Sequence, residues 1–223
     1  MILSFTSSKG GVGKSTACAA IACALASRGE AVEILDLDPN ETLARWHQRA
    51  PREGVRVTHV KPDAFSEAFE AVAAQKPRHI LIDLAGFLHA DILRAFARAD
   101  LVIIPAGTSE PDLREAMKLS KHIRALSATL EREIPFRILM TRVHSLRSNV
   151  GDYIFEQIEN AGLPMIKRAM VERVAYKALF VSGEAPTDSP APMGAGAEVR
   201  AILEEIEAIT TTRAAQIRRM GAA

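Results

Sequence analysis

Apolar residues fall in short, nearly continuous runs, separated by longer stretches in which they recur every three or four positions. The runs are Ile2–Thr6, Ala31–Leu37, Val55–Val60, His79–Leu84, Leu101–Pro105 and Phe136–Thr141, with a weaker one at Leu163–Ile166. Each is rich in aliphatic and β-branched residues and too short for a helix. Each therefore predicts a strand buried on both faces. The spaced stretches predict helices near 15–28, 41–50, 64–75, 89–98, 111–130, 148–160 and 171–181, and a last one over about 195–219. Alternation of this kind predicts an α/β fold: a doubly wound, mostly parallel sheet with helices on both faces. Ligands on such sheets bind beyond the carboxyl ends of the strands, so the residues after each strand carry the interest.

One stretch breaks the rhythm. SGEAPTDSPAPMGAG (182–196) holds three prolines and three glycines, which predicts a loop. A single helix follows it, so it lies within one domain spanning residues 1–223. The first strand runs straight into a glycine-rich loop, and neither a signal peptide nor an N-terminal DNA-reading domain is expected.

Composition narrows this picture. The formal net charge is +1, so any surface for an anionic polymer must be local. Cys18 and Cys23 are the only two cysteines and share one helical pattern. They predict core thiols rather than a disulfide framework. No apolar run approaches the ~20 residues of a membrane span, and a cytoplasmic chain is expected.

The chemistry gathers after the strands. SSKGGVGKST (7–16) follows the first one. Its Gly13-Lys14-Ser15 half fits the phosphate-loop pattern G-x-x-x-x-G-K-[ST], although Ser8 stands where the first glycine would fall. Backbone N–H groups from Gly10, Gly11 and Val12 through Gly13 to Thr16 would cradle phosphates at a helix N-terminus. Lys14 would reach the β- and γ-phosphates, and Ser15 would hold Mg²⁺. None of this accounts for a second lysine, Lys9.

KGGVGKST (9–16) resembles the deviant Walker A box of the ParA/MinD family of P-loop ATPases. The chain as a whole is most similar to its small ParA/ParF-like plasmid partition members. The resemblance implies ATP and Mg²⁺ as cofactors. It also implies that Lys9 crosses to the ATP of the partner in a face-to-face homodimer. ILDLDPN (34–40) resembles the family's second box, D-x-D-P-Q, with Asn40 in place of Gln. There Asp38 would orient the attacking water and Asp36 would support the metal site. HILIDLAG (79–86) reads as a Walker B strand, with Asp83 binding Mg²⁺ through water and Gly86 letting the next loop approach the γ-phosphate. LVIIPAGTSEPDLREA (101–116) resembles a proline-rich, dimer-forming loop. Pro105 would end the strand and Ser109 would cap the helix. In FRILMTRV (136–143), Thr141 and Arg142 would lie at the adenine, and Pro186 within EAPTD (184–188) would cover base and ribose from the other side.

The last helix offers a partner surface. Val199, Ile202, Ile206 and Ile209 form an apolar stripe that should pack on the sheet. Beyond it, residues 210–223 carry Arg213, Arg218 and Arg219 and no acidic residue. Such a tail suits non-specific DNA, bound through phosphates. A second basic patch holds Arg137, Arg142, His144 and Arg147. A MinD-like membrane regulator is the competing reading, but the tail offers only Ile217 and Met220 as large apolar groups, and no membrane partner is expected. A metabolic or metal-delivery ATPase on the same fold is the other alternative. Such an enzyme, of the nitrogenase iron protein kind, would need cluster cysteines on loops. The expectation is an ATPase that dimerises with ATP, associates with the nucleoid and positions a cargo: a plasmid, a chromosome locus or another complex. A ParB-like adaptor would stimulate its hydrolysis.

Overall fold

The computed structural model describes residues 1–84, 90–144 and 149–220, and their side chains except at 90–92, 149–151 and 217–220. Six strands, β1 (Ile2–Phe5), β2 (Val32–Asp36), β3 (Val55–His59), β4 (His79–Asp83), β5 (Leu101–Ala106) and β6 (Phe136–Met140), lie in the order β3-β2-β4-β1-β5-β6. Every pairing is parallel. These are the six strong apolar runs of the sequence. The weaker run does not become a strand: Met165 forms a single parallel bridge to Ile138. Pro164 has no N–H to give, which limits that segment to an edge contact. Pro105 lies inside β5 instead of ending it, above the level at which β1 last pairs, Phe5 with Ile103.

The helices are α1 (Lys14–Ala26), α2 (Thr42–Arg49), α3 (Phe65–Ala74), α4 (Ala90–Arg98), α5 (Glu110–Thr129), α6 (Asn149–Asn160), α7 (Val174–Val181) and α8 (Ala195–Met220). Period-two alternation sends strand side chains into two cores. Phe5, Ile34, Leu81, Ile103 and Leu139 meet α1, α7 and α8 on one face. Leu35, Ile82, Val102, Ile104 and Met140 meet α3, α4, α5 and α6 on the other. Val199, Ile202 and Ile206 of the α8 stripe are buried, and Ile209 packs against the same core. Residues 17–25 of α1 are all buried. Their many alanines let the helix lie close against both the sheet and α8. Cys18 and Cys23 are free and buried there, and burial pushes both thiols up, away from the reactive thiolate. Trp46 of α2 is a core residue.

The chain leaves β1 toward β2 on one side and crosses from β4 to β5 on the other. β1 thus stands at the switch of direction, the place where such sheets open a ligand crevice. No helix among the described residues is long and apolar enough to cross a membrane.

Candidate nucleotide site

The loop from β1 to α1 spans residues 6–13. Gly11 and Gly13 have φ values of 77° and 85°, a region that side-chain-bearing residues enter only at a cost. A Cβ on Gly10 or Gly11 would meet nothing within 4 Å, so that face of the loop is open. Gly13 caps α1 without a side-chain acceptor. The N–H groups of the first turn are therefore free to take an anion. They border a cleft of about 490 Å³ lined by Gly10, Lys14, Thr16, Asp38, Arg142 and Tyr176, among others.

Lys14 donates to Asp83 Oδ1 at 2.7 Å and to Asp38 Oδ2 at 3.3 Å. Ser15 Oγ donates to Asp83 Oδ2 at 2.7 Å. Residues separated by up to 69 positions meet here because β1 pairs with β4, placing Phe5 level with Asp83. Asp83 is fully buried, and burial pushes its carboxyl up to about 6 against the pull of Lys14 and Ser15. Asp36, level with Asp83 on β2, adds to that rise. Burial would raise Asp38 as well, but the Asn40 N–H and Lys14 outweigh it and hold Asp38 below its ordinary value. Asn40 holds Asp38 doubly, through its backbone N–H at 3.0 Å and its side-chain amide at 2.9 Å.

The two carboxylates of the second box divide. Asp36, expected beside the metal, spends its oxygens on backbone: Oδ1 accepts from Asp38 N–H, and Oδ2 from the N–H groups of Leu43 and Ala44 at 3.0 Å. It starts α2 and fixes the turn that carries Asp38, rather than facing the cleft. Thr141 is buried and props the loop from below, with Oγ1 donating to the Val12 carbonyl at 2.6 Å. Arg142 donates to the Gly11 carbonyl at 2.9 Å from a backbone with φ of 53°.

Pro186 does not cover the cleft. It is buried beneath the first turn of α8, where a Cβ on Gly196 would come within 2.4 Å of its carbonyl oxygen. The wall opposite the loop is instead formed by residues 170–173 with Tyr176 and Lys177. Glu198 of α8 anchors that wall, accepting from Val171 N–H at 3.2 Å, Arg173 Nε at 2.8 Å and Tyr176 Oη at 2.9 Å. Burial and Glu198 together push the Tyr176 hydroxyl well up.

Lys9 lines the same cleft but has a partner of its own. Its Nζ lies 2.6 Å from Asp112 Oδ1, in the first turn of α5. Ser109 caps that helix as expected.

The second basic patch is not one surface. Arg142 belongs to the glycine loop, while Arg137 lines a groove with Lys167 and Arg213 at the amino end of β6. Arg213 itself is held by Glu133, at 3.3 Å from Oε2 and through the Glu133 carbonyl. Gly86 and Arg147 lie outside the described residues, as do the side chains of Arg218 and Arg219.

A parallel α/β sheet with a phosphate loop at its switch point and a second lysine in that loop defines a P-loop protein of the ParA/MinD type. More narrowly, the family model described as VirC1 protein matches residues 1–212, and the chain belongs to that family. It is 29% identical over 180 residues to a protein ParA of Rhizobium radiobacter, covering 79% of this chain and 81% of the relative. Among solved structures it resembles apo McdA of Cyanothece, with a TM-score of 0.77 at 14% identity over 92% of this chain and 98% of that one. It also resembles the septum site-determining protein MinD of Pyrococcus horikoshii, solved with Mg-ADP. That TM-score is 0.69 at 18% identity, over 92% of this chain and 95% of that one.

Proposed function

We propose that this chain is an ATPase that binds ATP with Mg²⁺ and closes into a homodimer. In that state it would bind DNA without sequence preference, releasing it on hydrolysis, so that a cargo is partitioned or positioned. The observation that carries the reading is the convergence of Lys14, Ser15, Asp38 and Asp83 beneath an open glycine loop that holds a further lysine. The residues fit the cofactor. Ser15 and Asp83 stand in contact, oxygen donors of the kind Mg²⁺ takes. Lys14 is already paired with negative oxygens, as it would be on phosphates. Mg²⁺, when bound, supplies positive charge to the phosphate oxygens. Gly10, Gly11, Val12, Gly13 and Thr16 offer backbone N–H groups, and Lys9 is the residue for the partner's nucleotide. Arg142 and the wall at 170–177 bound the space left for base and ribose. A ParB-like adaptor would accelerate the cycle.

Asp38, tethered by Asn40 at the rim of the cleft, is the residue placed to orient a water. Asp38→Ala is expected to bind ATP and dimerise but to release phosphate ~10²–10³-fold more slowly, the usual scale for losing one transition-state contact. A steady-state rate equal to the parent's would move water positioning to another group.

DNA binding should be salt-steep. Two contacts per protomer from Arg218 and Arg219 give a slope of log K against log salt of about −4 for the dimer; Arg213, if released from Glu133, takes it to about −5. Retention on random duplex DNA with ATP should fall about 250-fold between ~50 and ~200 mM salt at the first slope and about a thousandfold at the second. Arg218→Ala with Arg219→Ala should flatten that slope and leave hydrolysis intact. If the wild-type protein with ATP is not retained at ~50 mM salt, the DNA reading fails.

A further inference from the structure

Lys9 is already occupied within its own chain. Its ammonium sits 2.6 Å from Asp112 Oδ1, and Asp112 is held in turn. Ser109 Oγ donates to Asp112 Oδ2 at 2.5 Å, and the Asp112 N–H donates back to Ser109 Oγ at 3.3 Å. The carboxylate stands over the bare Cα of Gly107, where a Cβ would come within 2.5 Å of Oδ2. One helical turn further on, Glu115 accepts from Ser8 Oγ at 2.6 Å. Residues three apart lie on one helix face. The start of α5 therefore clasps two successive loop residues, Ser8 and Lys9. Burial would raise the Asp112 carboxyl, but Lys9 and Ser109 outweigh it and hold it below its ordinary value, so it stays charged against the lysine.

The Asp112 side chain is nearly buried at 10% exposed, while that of Lys9 is 40% exposed. The carboxylate is the fixed member of the pair and the lysine the movable one. A long side chain with one end in solvent can exchange one anionic partner for another without unfolding anything around it. A triphosphate brought close by a second protomer is a stronger anion than one carboxylate.

We infer that Asp112 is an internal latch for Lys9, competing with the partner's nucleotide and setting the protein concentration at which the ATP dimer forms. The inference rests on the proposed trans role of Lys9. The dimer is two-fold symmetric in this reading, so both latches open together and the cost of each counts twice. A partly exposed ion pair is worth about threefold in an equilibrium, so two multiply to about tenfold.

The test is sedimentation of the full chain with AMPPNP and Mg²⁺ over a concentration series. Asp112→Asn removes the charge but keeps an oxygen for the Ser109 hydroxyl; Asp112→Ser is the second variant. Both are expected to dimerise at about tenfold lower concentration than wild type, at unchanged AMPPNP affinity of the dilute monomer. In the Lys9→Gln background, Asp112→Asn should have no effect on assembly. A wild-type midpoint in both variants, weaker assembly in either, or failure of both to fold would overturn the latch. If Lys9→Gln alone dimerises like wild type, the trans role fails, which is a separate result from a failed latch.

Discussion

Lys14→Ala is expected to lower ATP affinity at least about thirtyfold, because truncating one partner of a buried charge pair costs ~2–5 kcal/mol. The side chain enters the cleft beside Asp38 and Asp83, at the start of α1 where the open N–H groups gather. Titration with labelled ATP at pH 7.5 reads the loss, and wild-type affinity would remove Lys14 from the phosphate site. The substitution has a second effect, on the protein without nucleotide. It leaves Asp83 fully buried with Ser15 as the remaining donor of the pair. Removing one partner of a buried ion pair costs ~3–5 kcal/mol of stability when the other stays charged.

That cost depends on pH, and its sign follows from Asp83. The carboxyl titrates at about 6 in the folded protein, above its ordinary value in the unfolded chain. Its contribution is therefore fully present below about pH 4 and is lost as pH rises through 6. Without Lys14 the folded value moves higher still, because a favourable charge has gone. The stability deficit of Lys14→Ala should thus be small near pH 5 and large near pH 8. Urea unfolding at both values measures it. A deficit equal at both would mean that Lys14 does not neutralise Asp83.

The strands and the phosphate loop were legible because both are written locally. A strand buried on two faces needs a mostly apolar run, and a loop with φ near 80° needs glycine. Asp83 could be placed at a strand end, but its contact with Ser15 and Lys14 depends on β4 pairing beside β1, which no short segment records. Asp36 was misread for the same reason: a carboxylate after a strand can face a metal or start the next helix, and the backbone N–H groups of Leu43 and Ala44 decide. The wall at 170–177 left no motif at all, since Glu198 assembles it from a distance of more than twenty residues. Asp112 did leave a trace. Ser109-Glu110-Pro111-Asp112 reads as a capping sequence, and a carboxylate placed by a cap can also serve a neighbouring lysine.

Lys9→Gln is expected to separate nucleotide binding from everything that follows it. Lys9 is paired with Asp112 while Lys14 is paired with Asp38 and Asp83, so the substitution leaves Lys14 and its partners in place. ATP affinity should remain within about threefold of wild type, the scale of a partly exposed charge. The dimer is another matter. A cation delivered across an interface to developing phosphate charge is worth ~10³–10⁵ in rate, and in the proposed dimer the same contact would hold the two subunits around the nucleotide. With the uncharged amide, sedimentation with AMPPNP and Mg²⁺ should show a species near the chain mass of 24.2 kDa at concentrations where wild type runs at about twice that. Phosphate release should fall by about a thousandfold or more, and retention on DNA should be lost with the dimer. Lys9→Arg keeps the charge but not the reach or shape of the ammonium, and should recover assembly better than turnover. A glutamine variant that dimerises and hydrolyses at the parent rate would place Lys9 in the loop as a partner of Asp112 alone, with no part in the neighbouring subunit's chemistry.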